Sequence, residues 1–149
     1  MLATEGASRT SKAALGAVLA VAGAFTMFTG LNRALGGMAT LGWQGSTQFM
    51  QVVAEHEFLI QDSHARFLGG VWTGVGALLL LSAFNPRAFQ PVLQFVFAII
   101  FLGGLARFSM LRPDVVFGAD IIGSLTAELI LMPVLSLWVW RAGSAKQRQ

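Results

Sequence analysis

Four charged residues within apolar stretches are the side chains of this sequence best placed to do chemistry. They are two carboxylates, Asp62 and Glu128, and two guanidinium groups, Arg66 and Arg107. Because charged side chains inside a bilayer are costly, they usually face the interior of a helix bundle and have a partner there. Asp62 and Arg66 stand at positions i and i+4, which places them on one helix face as an ion pair. Arg107 and Glu128 are expected to form the second pair, with Arg66 and Asp62 close by, so that all four charges form one polar cluster.

Two interpretations of this polar cluster stay open at the level of sequence. In the first, the ion pairs are structural and fix the register of neighbouring helices. In the second, the two guanidinium groups face a polar pocket that opens outward and binds a lipid headgroup, a quinone or another anion. A proton- or ion-coupled pathway is a weaker alternative, because a single acidic residue, Glu128, is little material for one.

Histidine and cysteine give little support to metal or nucleophile chemistry. The two histidines, His56 and His64, have a spacing that matches no standard metal site. The sequence has no cysteine, which excludes disulfides, thiolate metal sites, iron–sulfur clusters and cysteine nucleophiles. We therefore expect no metal site and no cofactor. No catalytic residue is assigned, although a lipid- or quinone-modifying enzyme that uses Glu128 and His64 as acid–base groups is the alternative function.

Four apolar blocks must position these charges. Residues 13–31, 65–84, 88–109 and 121–140 are predicted to be membrane spans, because about 20 helical residues cross a hydrocarbon core of roughly 30 Å. Only 11% of all residues are charged, against roughly 25% in soluble domains. We predict an all-α fold, a four-helix transmembrane bundle that forms a single domain over residues 1–149.

The distribution of charge predicts orientation and partners. Four spans place both termini on one side of the membrane, and that side has six Lys or Arg residues against a single acid, Glu5. The positive-inside rule then makes both termini cytoplasmic. Because the basic residues lie at span ends and the net charge is only +3, we expect membrane lipid as a partner and no nucleic acid.

The long connection between spans one and two, residues 32–62, is predicted to contain an amphipathic segment. From Ser46 onward, apolar residues recur at helical spacing with polar residues between them. Such a helix would lie on the outer membrane interface. The alternative is that it runs straight into the second span.

Glycines beside the charges predict close helix packing. Gly70 and Gly74 follow Arg66 at intervals of four residues, a small-residue pattern that allows another helix to approach closely. Gly103 and Gly104 lie one turn before the arginine of span three. We expect all four glycines to pack against neighbouring helices.

Three parts of the sequence resemble a known family. Residues 62–72 (DSHARFLGGVW), residues 101–107 (FLGGLAR) and the late Glu128 resemble a bacterial family of small four-span membrane proteins of unknown function. The resemblance extends from span one to span four and implies the fold, a bacterial cytoplasmic (inner) membrane and the polar cluster, but no substrate. The four-span layout is also similar to DoxX-like proteins, at the level of architecture.

The function predicted from the sequence is non-enzymatic. The protein is expected to bind a small lipophilic or anionic ligand, or to serve as an accessory subunit of a larger membrane complex. The expected partners are membrane lipid, a quinone or lipid ligand, and a second copy of the chain or another subunit.

Overall fold

The computed structural model describes residues 2–40 and 52–144. They form α1 (Leu2–Gly36), α2 (Glu55–Phe84), α3 (Gln90–Ala106), α4 (Pro113–Val116), α5 (Ala119–Thr126) and α6 (Met132–Ser144). No β-strand occurs within these two described ranges. The prediction of an all-α fold is confirmed.

Four helical stretches are long and apolar enough to cross a membrane. They are Thr10–Gly36, Glu55–Phe84, Gln90–Met110 and Ala119–Ala142, and each overlaps one predicted span. The prediction of four membrane helices is confirmed, and the architecture is that of a multi-pass membrane protein. The second stretch has 30 residues and a length of about 45 Å, so about ten of its residues extend beyond a hydrocarbon core of roughly 30 Å.

The second span begins earlier than residue 65, the start predicted from the sequence. α2 begins at Glu55, and its first turn has two acids, Glu55 and Glu57, which interact favourably with the positive end of the helix dipole. From Glu55 the amphipathic segment runs straight into span two, one of the two predicted alternatives. Its earlier part, within residues 41–51, lies outside the described residues.

The chain divides into two compact units, and each is described by itself. The unit Gly16–Phe84 pairs α1 with α2 in antiparallel orientation, and we call it the glycine hairpin. Along α1 and the 3₁₀ turn that follows it, glycines that contact α2 recur every seven residues, at Gly16, Gly23, Gly30 and Gly37. A seven-residue repeat keeps side chains on one face of a helix over two turns.

Backbone packs directly against backbone in the glycine hairpin. A Cβ atom added at Gly76 would lie 2.6 Å from the Cα of Met27, and one at Gly69 would lie 2.8 Å from the Cα of Ala34. Real Cβ atoms essentially never come so close to another atom, so a side chain would force the two helices apart. Small residues that let two backbones meet are a common way for helices to associate in lipid.

The other unit comprises Met1–Leu15 and Asn85–Gln149, and it packs mainly through large side chains. α3 lies against α6, with Leu93 and Phe97 of α3 and Leu135 and Val139 of α6 almost fully buried. Two polar side chains also join these helices. The amide nitrogen of Gln94 donates to the Ser136 carbonyl at 2.8 Å, and the Ser136 hydroxyl donates to the amide oxygen of Gln94.

The third and fourth spans both depart from regular α-helix. After α3, residues Arg107–Met110 form a 3₁₀ turn that extends the third span. Between α5 and α6, residues Ala127–Leu131 form a π-helical turn that continues the fourth span. These two irregular turns contain the charged residues of the unit's half-buried ion pair.

Candidate functional site

The first arginine–carboxylate pair lies in the glycine hairpin, where α1 ends beside α2. Arg66 Nε donates to Asp62 Oδ2 at 2.6 Å, and Arg66 Nη1 donates to the Leu35 carbonyl. The backbone N–H of Met38 donates to Asp62 Oδ1 at 2.7 Å. Because the last carbonyls of a helix have no partner within the helix and attract cations, this pair stabilises the end of α1.

Gly37 lets the carboxylate of Asp62 approach the end of α1. Its φ is +62°, in the left-handed region that glycine adopts without steric cost. A Cβ atom at this position would lie 2.8 Å from Asp62 Oδ2 and closer still to Oδ1. Both the backbone conformation and the close contact therefore require glycine here.

The second pair joins the end of the third span to the fourth. Arg107 Nε donates to Glu128 Oε2 and Arg107 Nη2 donates to Glu128 Oε1, both at 2.6 Å. This two-pronged geometry is the strongest arrangement of an arginine with a carboxylate. The Glu128 side chain is 14% exposed, whereas that of Arg107 is 36% exposed. Nη1 of Arg107 has no acceptor among the residues that the structure describes.

Local backbone geometry brings this second pair together. Arg107 begins the 3₁₀ turn, and Glu128 lies in the π-helical turn. A π-helical turn is rare in proteins overall, but where it occurs it is often at a functional site. A Cβ atom at Gly104 would lie 2.8 Å from the Cβ of Glu128. The absence of a side chain at Gly104 therefore allows the fourth span to approach the third. At Gly103 no described atom lies within 4 Å of an added Cβ atom, so a packing role for Gly103 stays a prediction.

The structure joins the residues of each predicted pair, Asp62 with Arg66 and Arg107 with Glu128. The first pair belongs to the glycine hairpin and the second to the other compact unit. The assembly of all four charges into a single cluster stays a prediction.

Close packing on α2 occurs one or two residues away from the glycines that were predicted from the sequence. Gly69 and Gly76 contact α1, whereas no described atom lies within 4 Å of a Cβ added at Gly70 or Gly74. Successive residues of a helix differ by about 100° around its axis, so neighbouring glycines face different directions. A packing role for Gly70 and Gly74 stays a prediction.

Sequence reasoning missed two features of the packing. The seven-residue repeat from Gly16 to Gly37 was readable as a signal for a close helix pair. The hydrogen bonds between Gln94 and Ser136 had no such signal, because they depend on which faces of α3 and α6 meet.

Both histidines, His56 and His64, are exposed.

A third pair lies outside the spans and serves as a reference. Arg112 Nε and Nη2 donate to Asp114 Oδ1 and Oδ2 at 2.9 and 2.6 Å. These hydrogen bonds hold the pKa of Asp114 below its usual value. Both side chains are mostly exposed, so the pair contributes little to stability. It has the same chemistry as the Arg107 pair in a solvated setting.

Comparison with known proteins identifies a family but no activity. The model of a domain of unknown function, DUF4345, matches residues 14–139, which reach into all four spans. No curated protein and no solved structure matches the sequence. The predicted resemblance to a four-span family of unknown function is thereby confirmed, whereas the likeness to DoxX-like proteins and the bacterial origin stay predictions.

Proposed function

Because this chain belongs to the DUF4345 family, whose function is unknown, we propose a function from the geometry of Arg107 and Glu128. The protein is a non-enzymatic membrane protein that binds a lipophilic ligand through a neutral oxygen acceptor. The carbonyl group of a quinone or of a lipid ester has this chemistry. The protein acts alone or as an accessory subunit, in the cytoplasmic membrane of a bacterium with both termini in the cytoplasm.

The way in which Arg107 is held carries the proposal. Glu128 fixes the guanidinium group through two N–H donors, and a guanidinium group has five. Three N–H donors are thus left without an acceptor among the described residues, on a side chain that is 36% exposed. An oriented group with unused donors is suited to bind an oxygen atom of a ligand.

The charge of Glu128 favours a neutral acceptor over an anion. The carboxylate already balances the positive charge of Arg107, so the pair as a whole is neutral. A second anion on the same guanidinium group would be repelled by Glu128, and this repulsion is stronger near hydrocarbon than in water. A carbonyl oxygen accepts the unused N–H donors without that cost.

The position of Arg107 supports a ligand with an apolar tail. Arg107 precedes Met110, the end of the third span, by about 5 Å along the helix. This places the guanidinium group near the boundary between hydrocarbon and headgroups. Gly103 and Ile99, about one and two turns before Arg107 on the same side of the helix, are exposed and leave room and apolar surface for a tail.

The alternative enzyme, with Glu128 and His64 as acid–base groups, has weaker support. Both oxygens of Glu128 accept hydrogen bonds from Arg107, so proton transfer would first require the ion pair to break. No hydrogen bond or ion pair joins His64 to another described residue, so nothing orients it for such a role.

The test is mass spectrometry of the small molecules that co-purify with the protein in mild detergent. Wild type should retain a neutral lipid or a quinone, and the mass identifies which of them. Arg107→Lys should reduce this ligand about tenfold, because an ammonium group cannot reproduce the guanidinium fork. Arg112→Lys, the matched change in the exposed pair, should leave the ligand unchanged.

A second variant tests the role of charge. Glu128→Gln removes the carboxylate and leaves Arg107 positive, so bound neutral ligand should be replaced by anionic phospholipid. Equal amounts of the same ligand in wild type and Arg107→Lys would contradict the proposal.

A further inference from the structure

A group of basic side chains lies at the end of the spans remote from Arg107. In the unit formed by Met1–Leu15 and Asn85–Gln149, it comprises Lys12, Arg87 and Arg141. Lys12 is near the start of the first span, Arg87 lies in the turn before α3, and Arg141 is near the end of the fourth span. We call these three residues the terminal basic cluster.

Two hydrogen bonds bring the elements of this cluster to one level. The indole N–H of Trp138, one turn before Arg141, donates to the hydroxyl oxygen of Ser11 at 3.1 Å. Arg87 Nε donates to the Ala142 carbonyl at 3.2 Å. Lys12 follows Ser11, and Arg141 precedes Ala142, so these two contacts place Lys12 and Arg87 near the end of α6 that contains Arg141.

The terminal basic cluster has no counterion among the described residues. Lys12 and Arg141 are exposed, and neither they nor Arg87 form an ion pair within the described part of the chain. The described acid of this unit that comes nearest to Arg141 along the chain is Glu128, which precedes it by 13 residues, or about 20 Å of helix. The side of the spans that contains both termini has one acid in the sequence, Glu5, against six Lys or Arg residues, so the positive charge of this end exceeds what one carboxylate could balance.

We propose that the terminal basic cluster binds the phosphate group of an anionic phospholipid. Lys and Arg residues next to a membrane attract anionic headgroups, and the indole rings of Trp138 and Trp140 are typical of the headgroup level. The exposed apolar face of the span beside them, which includes Leu137, accommodates an acyl chain. This site binds an anion because its charge is uncompensated, in contrast to the neutral Arg107 pair, and it does not depend on the function proposed for that pair.

The test compares lipid binding by charge-removing and charge-conserving variants. Wild type, the double variant Lys12→Gln/Arg141→Gln and the double variant Lys12→Arg/Arg141→Lys are reconstituted in vesicles of phosphatidylcholine with phosphatidylglycerol. Bound lipid is then counted by native mass spectrometry. Both side chains are exposed, so folding should be unaffected. The charge-removing variant should bind about fivefold less phosphatidylglycerol for each cation removed, and the charge-conserving variant should bind as wild type does.

Two results would overturn the proposal. One is equal phosphatidylglycerol binding by all three proteins, and the other is binding by wild type that does not weaken as salt is added. Retention of an acidic protein instead of phosphatidylglycerol would also overturn it. Arg107→Lys should keep its phosphatidylglycerol, so this experiment and the test of the Arg107 ligand can fail independently.

Discussion

The glycine hairpin and the unit built on α3 and α6 pack apolar helices of comparable length in different ways. In the hairpin, glycines such as Gly30 and Gly76 place one backbone directly against the other. In the other unit, buried side chains such as Phe97 and Leu135 fill the space between the helices. Lipid is as apolar as these side chains, so association depends on van der Waals contact. The comparison shows two routes to such contact in one sequence.

The arginine–carboxylate pairs of the two units differ as well. Asp62 and Arg66 also bind the backbone at Met38 and Leu35, so their contacts hold the end of α1 in place. Arg107 and Glu128 form their hydrogen bonds with each other alone among the described residues. We therefore assign a structural role to the first pair and propose ligand binding for the second.

The largest expected effect breaks the glycine hairpin. Gly76→Ala should lower the free energy of unfolding by about 3 kcal/mol, because the new methyl group would collide with the backbone of Met27. Gly74→Ala is the matched control on the same helix, where the space is open, and it should be neutral or stabilise by up to about 1 kcal/mol. Unfolding in detergent with added denaturant measures both. Equal effects at the two positions would show that the backbones do not meet at Gly76.

A smaller effect is expected where side chains fill the space. Phe97→Ala should lower the free energy of unfolding by about 2 kcal/mol. In a soluble protein such a change costs both a cavity term and the free energy of transferring the side chain out of water. Only the cavity term applies here, because the unfolded side chain would be in lipid. Phe95→Ala, two residues away on the same helix, is the control, since Phe95 is 68% exposed and Phe97 is 2% exposed. If both changes cost the same in the same unfolding assay, Phe97 is not part of a packed core.

The smallest effect concerns the polar contact between α3 and α6. Gln94→Ala should cost about 1 kcal/mol, since hydrogen bonds between membrane helices contribute modestly. Ser136→Ala removes only the hydroxyl donor and should cost less, because Gln94 still donates to the Ser136 carbonyl. A double-mutant cycle measures the interaction free energy between the Gln94 and Ser136 side chains. Strict additivity of the two changes would mean that the side chains do not interact.

The sequence predicted the features that general physical limits determine. Bilayer thickness sets the length of a span, so the four apolar blocks predicted the four membrane helices. The cost of charge in lipid predicted that Arg107 would pair with Glu128. The π-helical and 3₁₀ turns around that pair were not predicted, because the spacing of apolar residues does not specify where the hydrogen-bond pattern of a helix changes. The sequence also could not show that Gly69, and not Gly70, contacts α1. The two glycines are adjacent, and only the position of the partner helix distinguishes them.

The most direct test of the central claim measures co-purifying ligand and unfolding for two matched variants, Arg66→Lys and Arg107→Lys. Each keeps the charge of its pair and removes the guanidinium fork. Arg66→Lys should lower stability by about 1 kcal/mol through the loss of its hydrogen bond to Leu35 and should retain the lipophilic ligand. Arg107→Lys should lose about nine-tenths of the ligand, the tenfold effect expected for a lost charge-assisted contact. Equal ligand loss in both variants, or in neither, would contradict the division of the two pairs into a structural and a ligand-binding one.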